Sequence, residues 1–288
     1  MKDEDYPALY GAADAASIEA QSKLLSLNQW TSLLLVLGAA LATYSGDSKA
    51  FALISALVFL CSLCLVLFGR LRKLQSKWYE ARALAESVKT ATWRLMMGSE
   101  PFSGKNQEAV ESFRKLLEEL LSENKGIGEY LSGDWANKEQ VTPFMLETRA
   151  TNYLEKKDLY LTLRIDEQRA WYARKSGDSR KSSSRWLQIV CLLYGGAILC
   201  LLLRIACPEL ILLPTEIFAV AASAALGWTQ IKRFDELSSA YGLTAHEIGI
   251  IKSRFSGVSS PMHLAKFVSD AENAFSREHI QWAARRDH

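Results

Sequence analysis

The stretch AFALISALVFLCSLCLVLF, residues 50–68, decides the fold, because it runs without a charge or a proline. A helix rises about 1.5 Å per residue, so roughly 20 residues cover the ~30 Å hydrocarbon core of a bilayer. A single segment satisfies its own backbone hydrogen bonds there only as a helix. The run therefore predicts a membrane-spanning helix. Just before it, WTSLLLVLGAALATY (30–44) completes a first span over 25–44. A second pair follows much later: WLQIVCLLYGGAILCLLL (186–203) and LILLPTEIFAVAASAALGW (210–228). The one charge in the last run, Glu216, sits beside Pro214 and Thr215, where a helix would start. The joining segments 45–49 and 204–209 are short, so the spans of each pair are expected as antiparallel neighbours.

These four blocks are hidden in an ordinary average. Of the 288 residues, 49% are apolar, and 34 Lys and Arg against 32 Asp and Glu leave a net charge of +2. That balance supplies no basic field for nucleic acid, and none is expected as a partner. Residues 1–28 carry Asp3, Glu4, Asp5, Asp14 and Glu19 against Lys2 and Lys23. This is not the basic leader of a secretory signal, so the first span is expected to be retained. Arg70, Arg72, Lys73 and Lys77 follow the second span, Arg174, Lys175, Arg180, Lys181 and Arg185 precede the third, and Lys232 and Arg233 follow the fourth. The far ends hold only Lys49 and Arg204. The positive-inside bias then places both termini and the long middle segment in the cytosol.

The two halves repeat one plan, a helix-forming segment, a hairpin, and a long exit helix expected to continue the second span of the hairpin without a break. The first exit, 70–97, lacks Gly and Pro until Gly98 and Pro101 stop it, and the second exit begins at Gln230. Between the hairpins, Val110, Phe113, Leu117 and Leu120 recur at helical spacing in 106–125, as an amphipathic helix packing on the exits requires. One long helix is expected over 142–175, then a flexible basic, Ser-rich linker, SGDSRKSSSR (176–185), and a terminal helix carrying Phe267, Ala271, Ala274, Phe275 and Trp282. The expected domains are 1–140 and 141–288, each one hairpin with polar helices that together form a cytosolic bundle. The fold class is thus an all-α integral membrane protein with four transmembrane helices.

Chemistry is sparse. Cys61 and Cys64 have redox-pair spacing but lie mid-span, where a thiolate or metal would be costly, and they read as apolar filler. Neither a metal, a cofactor nor a disulfide framework is expected, because the five cysteines lack a second such pair and His246, His263 and His279 lack zinc-helix spacing. Without a nucleophile elbow, a phosphate loop or paired intramembrane carboxylates, an enzyme is not expected. Small residues say more. Ala219, Ser223 and Gly227 stand four apart on the fourth span, with Ala221 and Ala225 beside them, the pattern that lets helix backbones meet in lipid. Gly38 with Ala42 and Gly196 with Cys200 are weaker versions, whereas Phe59, Leu60 and Leu65 read as lipid-facing.

The motifs ADAASIEAQ (13–21), WYEARALAESVKTATWRLMMG (78–98), VTPFMLETRATNYLEKKDLY (141–160), RIDEQRAWYARKS (164–176) and AENAFSREHIQWAARR (271–286) resemble those of the SLATT family, the SMODS- and SLOG-associating two-transmembrane effector domains. The resemblance covers nearly the whole chain as two domains in tandem, the first similar to the third subtype and the second to the first subtype. It implies a pore-forming or membrane-perturbing effector of a prokaryotic conflict system, driven by a cytosolic sensor or a signal-producing enzyme. By position, Trp78, Arg82, Glu86 and Lys89 match the first domain's motif, and Arg164, Gln168, Trp171, Glu272, Glu278, His279 and Trp282 match the second's. Read as residues, these types form buried polar contacts with Trp anchors that lock cytosolic helices together. The expectation is a homo-oligomer in the inner membrane that perforates or depolarises it on an upstream signal. The alternative is a non-conducting scaffold that recruits a cytosolic partner.

Overall fold

The computed structural model describes residues 1–44, 48–210 and 212–284, with side chains as far as Ser276. Its main helices are α1 (Ala8–Thr43), α2 (Lys49–Leu71), α3 (Leu74–Met97), α4 (Asn106–Glu123), α5 (Pro143–Ala150), α6 (Tyr153–Tyr160), α7 (Glu167–Ala206), α8 (Thr215–Lys232), α9 (Phe234–Ser253) and α10 (Pro261–Ala284). Among the described residues there is no strand. The chain divides into a polar unit, Met1–Ser22 with Leu74–Trp171 and the residues from Thr244 on, and an apolar unit, Lys23–Lys73 with Tyr172–Leu243.

In the apolar unit, α1 and α2 pair antiparallel. A Cβ on Gly38 would meet the Phe59 ring at 2.9 Å and one on Gly69 would meet Leu27 at 3.6 Å, so the glycines let the helices close. The buried Ser55 hydroxyl donates to the Gly38 carbonyl at 2.9 Å. Phe59 therefore covers Gly38 rather than serving as a purely lipid-facing residue. The second hairpin repeats this: a Cβ on Gly196 would meet the Phe218 ring at 2.9 Å, and the Trp186 and Trp228 rings lie 6.2 Å apart. Both supposedly weaker glycine sites thus make the close approaches. On α8 the buried small residues are Ala222 and Ala225. Ala219 and Ser223 are exposed, and Gly227 has open space around its Cβ position.

The linker, the fourth run and the exit helices differ from expectation. Residues 176–185 form helix, not a flexible linker, as the middle of α7. Ser176 and Ser238 each donate a side-chain hydroxyl to the other's carbonyl, at 2.8 and 3.2 Å, which ties α7 to α9 where serine propensity alone would not. The helix of the fourth apolar run starts at Thr215 beside Pro214, as its sequence indicates, so the span expected over 210–228 is shorter by Leu210 and Leu212–Pro214. Three helical stretches, Ala8–Thr43, Lys49–Met97 and Tyr153–Ala206, are long and apolar enough to cross a membrane. The 18-residue α8, with Glu216 and Lys232 inside it, is not among them. Finally, neither exit helix leaves its span unbroken.

Both breaks have one construction. Lys73 separates α2 from α3 and Arg233 separates α8 from α9, each with φ of 48°. The left-handed region costs a residue with a Cβ roughly 1–2 kcal/mol, and glycine would adopt it freely. Lys73→Gly and Arg233→Gly are expected to leave thermal stability in detergent unchanged or slightly raised, and Lys73→Val to lower it by about 1–2 kcal/mol. A Val variant as stable as the parent would show that the left-handed conformation of Lys73 is not held.

The core of the polar unit forms around α3, which buries Ala81, Leu84, Ala85, Val88, Ala91, Trp93, Leu95 and Met96. Helices α4, α5 and α10 all pack on it. Helix α4 is amphipathic as expected and buries Ala109, Phe113 and Leu117. The long helix expected over 142–175 is instead broken after α5. Thr151 is extended, and Asn152 caps α6 by accepting from the Glu155 amide at 3.0 Å. Between α6 and α7 the segment Leu161–Asp166 is π-helical.

Candidate functional site

Most of the buried charged residues of the polar unit fall into two groups. In the first, Tyr160 at the end of α6, Arg164 in the π-helical segment and Glu272 on α10 meet. Arg164 donates Nε to Glu272 Oε1 at 2.8 Å and Nη2 to Oε2 at 2.7 Å. Tyr160 Oη donates to Glu272 Oε1 at 2.9 Å. Arg164 is 2% exposed and Glu272 0%. This two-pronged geometry is what makes a guanidinium tolerable in a dry core. The Arg164 guanidinium also lies 4.9 Å from the centre of the Phe275 ring, and its Nη1 has no hydrogen-bond partner among the described residues. Burial, then the Glu272 carboxylate, pushes the Tyr160 phenol far above its ordinary range, so the hydroxyl stays a donor.

A second group lies along α1 and α3. Arg82 reaches Asp14 at 3.0 Å with Nη1 and Glu86 at 2.6 Å with Nη2. Glu86 is buried, and Lys89 follows one turn later on the same α3 face. Burial lowers the Lys89 amine, with the Glu86 carboxylate opposing that shift, and burial raises Asp14, with Arg82 opposing. Trp93 joins the groups: its indole Nε1 donates to Tyr6 Oη at 3.2 Å, and its ring stands edge-on to Tyr160 at 5.6 Å. Burial pushes Tyr6 up to about 12.

Of the sequence-nominated residues, the structure brings Arg82 and Glu86 into one contact, with Lys89 beside them, and Arg164 and Glu272 into another. Trp78 stacks against its neighbour Tyr79 with ring centres 4.7 Å apart. Gln168 and Trp171, on the first two turns of α7, are half-buried. Glu278, His279 and Trp282 have side chains outside the described residues. Asp14, Tyr6, Tyr160 and Trp93 belong to the same network and were not singled out. Asp14, Trp93 and Tyr160 lay within the quoted motifs, and the aromatic character of the last two was the available signal.

Arg149 was also missed. It is buried and has four neutral acceptors: the carbonyls of Leu95, Phe102 and Gly104, the last two at 2.9 Å each, and Asn106 Oδ1 at 3.1 Å. Those carbonyls close the end of α3. Gly98, at φ 67°, receives the chain there, with its amide on the Leu95 carbonyl at 3.2 Å and the Ser99 amide on that of Arg94 at 2.9 Å. The cationic fork binds the negative end of the α3 dipole. Burial lowers the Arg149 guanidinium, and no carboxylate opposes it.

Chemically, the arrangement clamps. Arg82 is spent on Asp14 and Glu86, Arg164 on Glu272 and Arg149 on neutral acceptors, and the contacts join helices far apart in sequence. Compared with known families, residues 7–157 match SMODS and SLOG-associating 2TM effector domain 3, and residues 160–282 match SMODS and SLOG-associating 2TM effector domain 1. No curated protein and no solved structure matches the chain.

Proposed function

Because the chain belongs to the SLATT family of two-transmembrane effector domains, with a third-type domain followed by a first-type domain, we propose that it is a membrane effector of a prokaryotic conflict system. It assembles as a homo-oligomer in the inner membrane and perforates or depolarises it when an upstream sensor or signal-producing partner rearranges the polar helices. The observation that carries this reading is uncovered apolar surface. In the most apolar window of each long helix only 11%, 11% and 17% of residues are buried within the chain. On α2, Leu53, Leu57, Leu60, Leu63 and Leu67 are all more than half exposed. Surface of that extent on helices of that length is covered by lipid or by further copies. In this reading α8 is the fourth span. Its 18 residues rise about 27 Å, close to the hydrocarbon thickness.

The face Ala219, Ser223, Gly227 is the proposed subunit contact, since it is open within the chain and its residues are small. Ser223→Leu puts a branched side chain where a second backbone would approach, a clash of about 1–3 kcal/mol. A roughly tenfold or greater loss of oligomer follows, together with loss of dye release from vesicles. Unchanged assembly and release would assign the face to lipid. An assembled protein that retains a stoichiometric soluble partner and leaves membrane potential intact would favour the scaffold role.

Orientation is tested separately. A cysteine introduced at Gly46, which lies outside the described residues, should react with an impermeant reagent in intact cells, and cysteines at Ser122 and Ser182 only after permeabilisation. Labelling of Ser122 in intact cells would reverse the assignment of the termini to the cytosol.

A further inference from the structure

We infer that the apolar unit holds a binding site for the phosphate and primary ammonium of a zwitterionic phospholipid headgroup. The site is a cavity of about 520 Å³ lined by Ala39, Ala42 and Thr43 of α1, Arg204 of α7, Leu212 and Leu213 of the connection, and Glu216 of α8. The inference rests on the membrane reading above. That volume lies within the range of small-molecule pockets. Its lining side chains are apolar except for one guanidinium, one carboxylate and one hydroxyl. Neither the Arg204 nor the Glu216 side chain has an ion-pair or hydrogen-bond partner among the described residues.

Three features point to a zwitterion. The charges are opposite and unpaired on the wall of one cavity, so a ligand that bears both signs satisfies both at once. Arg204 is the only cation of its connection, at the end of the spans where the positive-inside bias selects against cations, so topology does not account for it. Thr43 donates its hydroxyl to the Ala39 carbonyl at 2.9 Å, which leaves its oxygen as an acceptor. A guanidinium fork suits a phosphate. The Glu216 carboxylate and the Thr43 oxygen suit a primary ammonium with N–H groups to donate, which a quaternary choline lacks. Leu212, Leu213 and Ala39 offer apolar surface to the start of the acyl chains. The ligand class is a phosphatidylethanolamine-type lipid, in preference to phosphatidylcholine and phosphatidylglycerol.

The test uses the purified full chain in detergent, exposed to equimolar phosphatidylethanolamine, phosphatidylcholine and phosphatidylglycerol, with retained lipid read by native mass spectrometry. The wild type should retain the ethanolamine lipid at least about fivefold over the other two. Glu216→Gln should abolish the preference over phosphatidylglycerol, and Arg204→Gln should lower retention of all three, with Arg204→Lys in between. Thermal melting of each variant checks that it is folded. Charges that merely complement the α7 and α8 dipoles would change melting without changing lipid preference, and that result overturns the inference. So does equal retention of the three lipids. Displacement of the lipid by millimolar soluble phosphoethanolamine would assign the site to a free headgroup and overturn the lipid source. Retention does not require conduction. Loss of leakage with the preference intact therefore counts against the effector reading alone, and loss of preference with leakage intact against the lipid site alone.

Discussion

Glu272→Gln is expected to destabilise the polar unit more than any other single substitution. The change is nearly isosteric, but it removes the only carboxylate among the described residues that faces Arg164 at hydrogen-bond distance and points an amide N–H₂ at a guanidinium that is itself all donors. Removing one partner of a buried pair leaves an uncompensated charge in a dry core, at a cost of about 3–5 kcal/mol. A domain holds only about 5–15 kcal/mol in total. For a chain of this size the loss corresponds to roughly 6–20 °C in Tm. The triple variant Tyr160→Phe, Arg164→Met, Glu272→Leu should recover most of it, because removing every member of the network leaves no orphan. Arg164→Met alone should fall between the two. A Glu272→Gln protein that melts with the wild type would show that the charge pair is not formed in the folded chain.

The second large effect is expected at Arg149. Arg149→Met strips the donors from two loop carbonyls, the Asn106 side chain and the Leu95 carbonyl, of which Leu95 keeps the Gly98 amide. At about 1 kcal/mol for each lost bond, and more where the donor is charged, the sum is about 3–4 kcal/mol. Arg149→Lys should recover little, because one ammonium cannot span the positions that a planar fork reaches. Thermal melting reads the loss, and limited proteolysis should show earlier cleavage between residues 99 and 106. A lysine variant as stable as the parent would refute the fork.

Long-range apolar pattern was legible in the residues themselves. The runs at 30–44, 50–68 and 186–203 coincide with the helices long and apolar enough to span, and Gly98 ends α3 where its position predicted. What stayed hidden was tertiary. Lys73 and Arg233 are poor left-handed formers, so no local signal marked the two helix breaks. Serines 182–184 read as a linker because propensity is local, whereas the Ser176 and Ser238 exchange that anchors α7 spans 62 residues. The fourth run was read as a span over 210–228, and its helix starts at Thr215, where Pro214 and Thr215 signalled a start. Arg164 and Glu272 lie 108 residues apart, and only the family motif placed both on a shortlist. Arg149 lies within the quoted motif 141–160 but was not on that shortlist, since its partners are mostly backbone carbonyls, which carry no sequence signature.

The central claim is that assembled chains breach a membrane. The most direct measurement is the membrane potential of vesicles reconstituted with the purified oligomer, its insertion verified by protease protection, before and after addition of a lysate from cells in which the conflict system has been triggered. The account predicts collapse of the potential by the wild type and a much smaller response from Ser223→Leu. Oligomers that insert fully and hold the potential under that trigger would contradict it.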